Sequence, residues 1–350
     1  MIKRRKFINL TALLSATAVL PNVAFSEKNN ENENPRLLAK RLKKGDTIGL
    51  IAPGYAVKPN ILKEIKKTLK DMGFVPFHTD RIHGNHGYFS DTDEERAADL
   101  NEMFANTKVD AILCARGGYG CTRIMQMIDY ENIKLNPKLL IGFSDITALL
   151  NGIQKETGLI TFHGPVGSTL DDDYSKQEFS NTLIHPKYPQ VITNVTLEDK
   201  EMMNDVEYER YTITPGQSTG KLVGGSLTLV NALIGTPHEI DFTDAIVCLE
   251  DVEEAPYRID RMLTQLLEGP SFKKAKGIVF GVCAGCNSSS NSKSFTLKEV
   301  IMDRIAPLNI PAAYGMSFGH VPNNFTFPIG VNANWDADKM TLKILEKAVF

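Results

Sequence analysis

The chain has 350 residues, 42% hydrophobic and 23% charged, a balance that belongs to globular proteins and argues against wholesale disorder. Its 39 Lys and Arg against 42 Asp and Glu leave a formal net charge of -3, so no excess positive field is available to grip a phosphate backbone and no nucleic acid partner is expected. This length is enough for two ordinary domains, each burying its own core.

The first thirty residues differ from the rest. Lys3, Arg4, Arg5 and Lys6 precede an apolar stretch from Phe7 to Phe25, and the polar run Glu27 to Glu33 follows. This is the layout of a secretory signal over residues 1–26, with Ala24 and Ser26 as the small residues three and one before the cut. Arg4-Arg5-Lys6-Phe7-Ile8 also reads like a twin-arginine signal, so general and twin-arginine export both stay open, as does an uncleaved membrane anchor. No later apolar run reaches the ~18 residues needed to span a bilayer, so a mature protein of the periplasm or cell envelope, without stable membrane insertion, is expected.

From Asp46 onward apolar runs alternate with amphipathic ones. Strand Thr47 to Ala52 ends in Pro53-Gly54, and helix Asn60 to Met72 follows. Next come strand Phe74 to Phe77, helix Asp91 to Phe104, strand Ala111 to Ala115 and helix Gly120 to Ile128, then strand Leu139 to Gly142, helix Ile146 to Gln154 and strand Leu159 to Phe162. Short strands joined by helices require crossover connections, so this α/β domain, residues 38–168, should carry a mainly parallel sheet with flanking helices. Residues 169–216, with the acidic triple Asp171 to Asp173, lose the rhythm and read as a connecting segment with some strand of its own. Periodicity returns at Lys221 in a second domain, residues 217–350, with Gly224-Gly225, helix Ser226 to Leu233, strand Ala245 to Leu249 and helix Arg258 to Leu267. Strand Gly277 to Val282, a Ser/Asn-rich loop, helix Leu297 to Ile305 and a hairpin-like stretch from Phe327 to Ile344 complete it.

Five cysteines, Cys114, Cys121, Cys248, Cys283 and Cys286, cannot make a complete intrachain disulfide framework. Cys114 and Cys248 sit in strand-like apolar runs and read as small core residues. Cys283-Ala-Gly-Cys286 has redox or half-zinc spacing, yet no second pair or histidine cluster completes a metal site; structural thiols or one disulfide formed after export remain. No metal or cofactor is expected.

The sharpest local feature is Gly142-Phe143-Ser144-Asp145-Ile146-Thr147, where an apolar strand runs into a helix with serine at the bend. A hydroxyl held there is exposed, and the backbone N–H groups that follow point at whatever it attacks. The glycine expected two residues after such a serine is replaced by Ile146, and a plain helix cap is the alternative role. Arg116-Gly117-Gly118-Tyr119-Gly120 lies at the same edge of the sheet, where donors from Gly118 and Asp145 could converge on one tetrahedral oxygen; otherwise it is only a tight turn. A serine needs a base, most often histidine. His320 stands in a loop rich in turn residues, His163 ends a strand and is the second choice, and Glu250 closes a strand beside Asp251, Glu253 and Glu254. A carboxylate at such a strand end can orient an imidazole, although an acidic cluster is ordinarily a solvated edge. Arg258, Asp260 and Arg261 are expected to form ion pairs that hold this region.

Taken together, these segments resemble the LD-carboxypeptidase family, peptidase family S66. The matching stretches are Ile48 to Gly54, Gly87-Tyr88-Phe89 with Asp93 to Leu100, Arg116 to Gly120, Gly142 to Thr147, Gly224 to Leu227, Leu249-Glu250-Asp251 with Tyr257 to Arg261, and Gly319-His320. The resemblance implies Ser144 as nucleophile, Glu250 and His320 as the rest of a triad, and Gly118, or its neighbour Gly117, in the oxyanion hole. It also implies a parallel-sheet N-terminal domain, a β-rich α/β C-terminal domain, an active site in the cleft between them, and a homodimer. The implied reaction removes terminal D-alanine from a murein tetrapeptide without a metal. Members that resemble microcin immunity proteins instead cleave an amide in a peptidyl-nucleotide, and a periplasmic solute-binding protein is the non-enzyme alternative.

Overall fold

Apolar runs bounded by Gly, Pro and Asp become strands buried on both faces, except at the edge strand over residues 75–77, where Val75 is exposed. The first five are β1 (Thr47–Ile51), β2 (Val75–Phe77), β3 (Ala111–Cys114), β4 (Leu139–Gly142) and β5 (Thr161–His163). The computed structural model describes residues 34–197, 205–287 and 293–350, so the signal segment and most of the Ser/Asn-rich loop lie outside the described residues. Within it β5, β4, β3, β1 and β2 pair in that order, all parallel. The crossovers are helices with clear start signals. Helix Pro59–Asp71 begins on a proline and buries Leu62, Ile65 and Leu69, while helix Asp93–Ala105 is capped by the Thr92 side chain, which accepts from the Glu95 N–H.

A second sheet contains β6 (Gln190–Thr193), β7 (Tyr211–Thr214), β8 (Gln217–Ser226), β9 (Ala245–Glu250), β10 (Gly277–Phe280), β11 (Ala312–Tyr314), β13 (Asn332–Asp336) and β14 (Thr341–Ile344). Its order is β6-β14-β13-β8-β9-β10-β11-β7, with β8 to β11 parallel and the outer strands antiparallel. The fold is therefore mixed α/β, with a mainly parallel first sheet and a second, strand-rich sheet, as expected.

Three local expectations change. The segment after Leu170 holds a full helix, Asp173–Leu183, and the acidic triple is its start, with the Asp172 carboxylate accepting from the Ser175 N–H at 2.9 Å. The closing stretch is not one hairpin, because β12 (Phe327–Ile329) leaves the second sheet and pairs antiparallel with β5, setting Phe327 opposite His163. Only β13 and β14 form the hairpin. Finally, β8 starts at Gln217, four residues before the periodic pattern becomes visible at Lys221.

The two sheets are tied together close to the serine. Helix Thr147–Thr157 packs on β8, where Asn151 donates to the Gly224 carbonyl at 2.8 Å and accepts from the Gly224 N–H at 3.1 Å. The Ser226 N–H donates to Thr147 Oγ1 at 3.0 Å. A Cβ on Gly225 would lie 2.4 Å from that same oxygen, so this approach requires glycine.

Candidate active site

Ser144 sits between β4 and helix Thr147–Thr157 with φ of 63°, a left-handed conformation that costs a non-glycine residue about 1–3 kcal/mol. Its side chain caps nothing in the turn that follows. The elbow tolerates Ile146 because room is provided on the other side: a Cβ on Gly142 would lie 2.8 Å from Ile146 Cγ2.

The glycine turn packs directly on this serine. A Cβ on Gly117 would meet Ser144 Cβ at 3.0 Å and Oγ at 3.2 Å, so the backbone at 117 lies against the hydroxyl. Gly118 and Gly120 have φ of 116° and 124°, conformations that side chains rarely adopt. Asp145 joins the two turns, since its buried carboxylate accepts from the Cys121 N–H at 2.8 Å; burial pushes this carboxyl above its ordinary range. Arg96, which the sequence reading did not single out, fixes the same loops from below. It is buried, lies 4.5 Å from the Phe89 ring centroid, and donates to the carbonyls of Gly120, at 3.1 Å, and Pro53, while pairing with Asp93. In the sequence, the pointers to it are the i, i+3 spacing of Asp93 and Arg96 and their place in the family-matching stretch Asp93 to Leu100.

The loop after β11 brings in His320, 176 residues along the chain from the serine, with Nε2 2.9 Å from Ser144 Oγ. Its other nitrogen, Nδ1, lies 2.9 Å from Glu250 Oε2. Glu250 is fully buried at the end of β9, whereas the His320 side chain keeps 23% exposure. The Phe143 ring meets the imidazole edge-on at 4.8 Å. Glu250 Oε1 has no protein partner among the described residues, so the carboxylate directs its one strong contact at the imidazole. Burial pushes His320 down, but the charge and hydrogen bond of Glu250, followed by Asp251 and Glu253, outweigh it and hold the imidazole above its ordinary value.

The remaining acids have separate duties. Asp251 accepts from the N–H and hydroxyl of Thr228 at 2.7 and 2.9 Å, and burial pushes its carboxyl up to about 6. Glu254 pairs with Arg258 at 3.2 Å and Asp260 with Arg304 at 3.2 Å, while the Arg261 guanidinium lies 5.7 Å from the Tyr257 ring. His163, the second choice for the base, is fully buried and stacked at 4.7 Å on Phe327, with neither nitrogen bonded to protein among the described residues. Burial lowers its pKa to about 4. All five cysteines are buried and free, and the hydrogen bond to Cys286, followed by burial, holds the Cys283 thiol well above its ordinary range.

Against this geometry stand the similarities to known proteins. The model of the LD-carboxypeptidase N-terminal domain matches residues 48–164, and that of the C-terminal domain matches residues 219–334. A probable murein peptide carboxypeptidase of Bacillus subtilis is 37% identical over 312 residues, covering 87% of this chain and 93% of its own. The crystal structure of a muramoyltetrapeptide carboxypeptidase from Oxalobacter formigenes superposes with a TM-score of 0.74 at 28% identity, covering 86% of this chain and 99% of that one. The microcin C7 self-immunity protein MccF of Escherichia coli is 27% identical over 342 residues, 89% of this chain and 96% of its own. A structure of MccF with glutamyl sulfamoyl guanosine superposes with a TM-score of 0.81 at 26% identity, covering 90% and 100% of the two chains.

Proposed function

The chain belongs to the LD-carboxypeptidase family and is a peptide hydrolase of the carboxypeptidase kind, and on that premise we propose that it is a serine enzyme releasing terminal D-alanine from murein tetrapeptides. The observation that carries the proposal is the imidazole of His320, which bridges a serine hydroxyl and a buried carboxylate at 2.9 Å on each side. Such a bridge selects one tautomer: Nδ1–H donates to Glu250, leaving the Nε2 lone pair to accept from Ser144 Oγ–H.

In the first half-reaction Ser144 Oγ attacks the carbonyl of the L-centre while Nε2 takes its proton. The imidazolium that forms is steadied by Glu250, and the tetrahedral oxygen turns toward the amides of Gly118 and Asp145, a contribution of about 2.7–4 kcal/mol per well-aimed donor. His320 then returns the proton to the departing amine, and D-alanine leaves. Water activated by the same imidazole opens the acyl-serine and regenerates the enzyme. Every proton that leaves Ser144 or water is thus returned through one nitrogen.

Mass spectrometry after incubation with murein tetrapeptide is the direct test. Wild type should release one D-alanine per peptide and Ser144→Ala should not; an unchanged rate in the variant would remove Ser144 from the mechanism. The TM-score of 0.81 to MccF supports a second reading, hydrolysis of a peptidyl-nucleotide amide by the same three residues, and the same assay with an aminoacyl sulfamoyl nucleoside separates the two. The solute-binding reading falls, because the family is one of hydrolases. The layout from Lys3 to Phe25 supports export, which places the reaction in the periplasm or envelope; detection of the chain only in a cytosolic fraction would overturn that placement. A homodimer is part of the same proposal, and its test is the mass in solution.

A further inference from the structure

The oxyanion donors assigned above include one on a loop that is soft by composition. Gly117, Gly118 and Gly120 lack the side chains that narrow a backbone's choices, and Gly118 and Gly120 sit at φ of 116° and 124°. An amide on such a loop aims at one point only if something outside the loop holds it. The target is close: a Cβ on Gly117 would lie 3.2 Å from Ser144 Oγ, so a small rotation of the turn changes what a carbonyl bound at the serine meets.

The hold is a single peptide unit gripped at both ends. The carbonyl of Gly120 accepts from Arg96 Nη1 at 3.1 Å, and the N–H of Cys121, the other end of the same peptide, donates to Asp145 Oδ2 at 2.8 Å. A peptide bond is planar and trans, so its C=O and N–H point in opposite directions, and bonds at both ends stop the plane from turning. The two grips are anchored in different places. Arg96 Nη1 also donates to the Pro53 carbonyl and its Nη2 pairs with Asp93, while Asp145 directly follows Ser144 in the chain. Gly54 closes a third side, since a Cβ there would lie 3.0 Å from the Gly117 carbonyl oxygen and 3.3 Å from Asp145 Oδ2. Arg96 and Asp145 are only 2% and 1% exposed, and burying two ionisable side chains to hold one peptide is costly for stability alone. We infer that Arg96 and Asp145 are positioning residues of the hydrolysis, acting through the Gly120–Cys121 peptide to aim the Gly118 amide at the tetrahedral oxygen. The inference rests on the serine mechanism proposed above and adds to it two buried side chains that act at one remove from the substrate.

The test measures turnover and transition-state affinity together in Asp145→Ala, Asp145→Asn and Arg96→Gln, with unfolding midpoints to confirm the fold. Asp145→Ala and Arg96→Gln should lose about 100-fold in kcat on murein tetrapeptide, the scale of a lost oxyanion donor, with KM within about three-fold of wild type. A peptidyl boronate, whose tetrahedral adduct on Ser144 places an oxygen in the hole, should bind more weakly by the same factor, while the tripeptide product binds as before. Asp145→Asn keeps an oxygen for the Cys121 N–H but accepts without charge, and should lose about ten-fold in both measurements. Its near-identical shape lets it carry the test if Asp145→Ala does not fold. Losses confined to KM, a boronate affinity that holds while kcat falls, or wild-type kcat in Asp145→Asn and Arg96→Gln overturns the inference. If wild type releases no D-alanine, the murein reading fails instead; the rate at which a fluorophosphonate labels Ser144, which needs no natural substrate, then reads the same clamp.

Discussion

Gly319 approaches Glu250 so closely that a Cβ at position 319 would lie 2.9 Å from Glu250 Oε2, the oxygen that faces His320 Nδ1. Gly319 also has φ of 114°, so both backbone conformation and space demand glycine immediately before the histidine. Gly319→Ala should push the carboxylate and the imidazole apart. Displacement on the order of 1 Å in a catalytic group costs about 100-fold in rate, and kcat should fall by that amount while the circular dichroism spectrum stays native. A fully active Gly319→Ala enzyme would show that the Glu250 contact has no part in turnover.

The pH dependence follows from the direction of the His320 shift. His320 is held above its ordinary value of 6.5, chiefly by Glu250 acting against burial, and the base must be neutral to accept a proton. The acid limb of kcat/KM should therefore lie above pH 6.5, and Glu250→Gln should move it downward as well as lowering kcat by roughly 10³–10⁴-fold. Stability runs the other way: a raised imidazole contributes fully below the unfolded-state pKa and loses that contribution as pH rises through the folded value. An acid limb that stays in place in Glu250→Gln would separate the carboxylate from the titration.

Much of this was legible locally and some of it was not. Strands β1, β4, β9 and β10 announce themselves as apolar runs ending at Pro, Gly or acidic residues, and β3 as one ending at Arg116-Gly117, because each is buried on both faces. Helix Asp173–Leu183 hides because its buried side includes Ser175 and Thr182 beside Phe179 and Leu183, which blurs the helical period. The pairing of Phe327 with His163 joins distant segments, and nothing in either segment encodes the partner. At the site, Ser144 alone allows a helix-cap role, and His320 alone is a histidine in a turn-rich loop with nothing local to name its partner. Their 2.9 Å contact across 176 residues is long-range information, and the order of motifs pointed to it where local physics could not.

His163 offers a test of a residue near the chemistry that takes no hydrogen bond from it. Both ring nitrogens are buried without a protein partner among the described residues, and burial holds the pKa down at about 4, so the ring is neutral when the enzyme works. A depressed histidine supplies stability above the unfolded value and withdraws it as pH falls toward the folded one. His163→Leu should therefore keep kcat within about three-fold and be less destabilised by acid than wild type between pH 6.5 and 4, since it removes a buried group with unmet donors and acceptors. Loss of most activity with the fold intact would return His163 to the list of bases.

Asn151 sets the spacing between the two halves of the triad. Its amide exchanges two hydrogen bonds with Gly224 on β8, while its helix starts three residues after Ser144; β8 in turn lies in register with β9, placing Ser226 opposite Glu250. Asn151→Ala leaves a buried N–H and a buried C=O of Gly224 without partners, each costing about 1–3 kcal/mol. Urea unfolding should show a loss of roughly 2–4 kcal/mol, within that range for two groups. Because the same bonds hold Ser144 relative to Glu250 and His320, kcat should fall by about ten-fold or more, with KM much less affected. Asn151→Asp keeps the acceptor for the Gly224 N–H but loses the donor to its carbonyl, and should fall between the two in both measurements. If Asn151→Ala matched wild type in unfolding midpoint and in kcat, the contact between helix and β8 would be incidental and the spacing of the site would have to be set elsewhere.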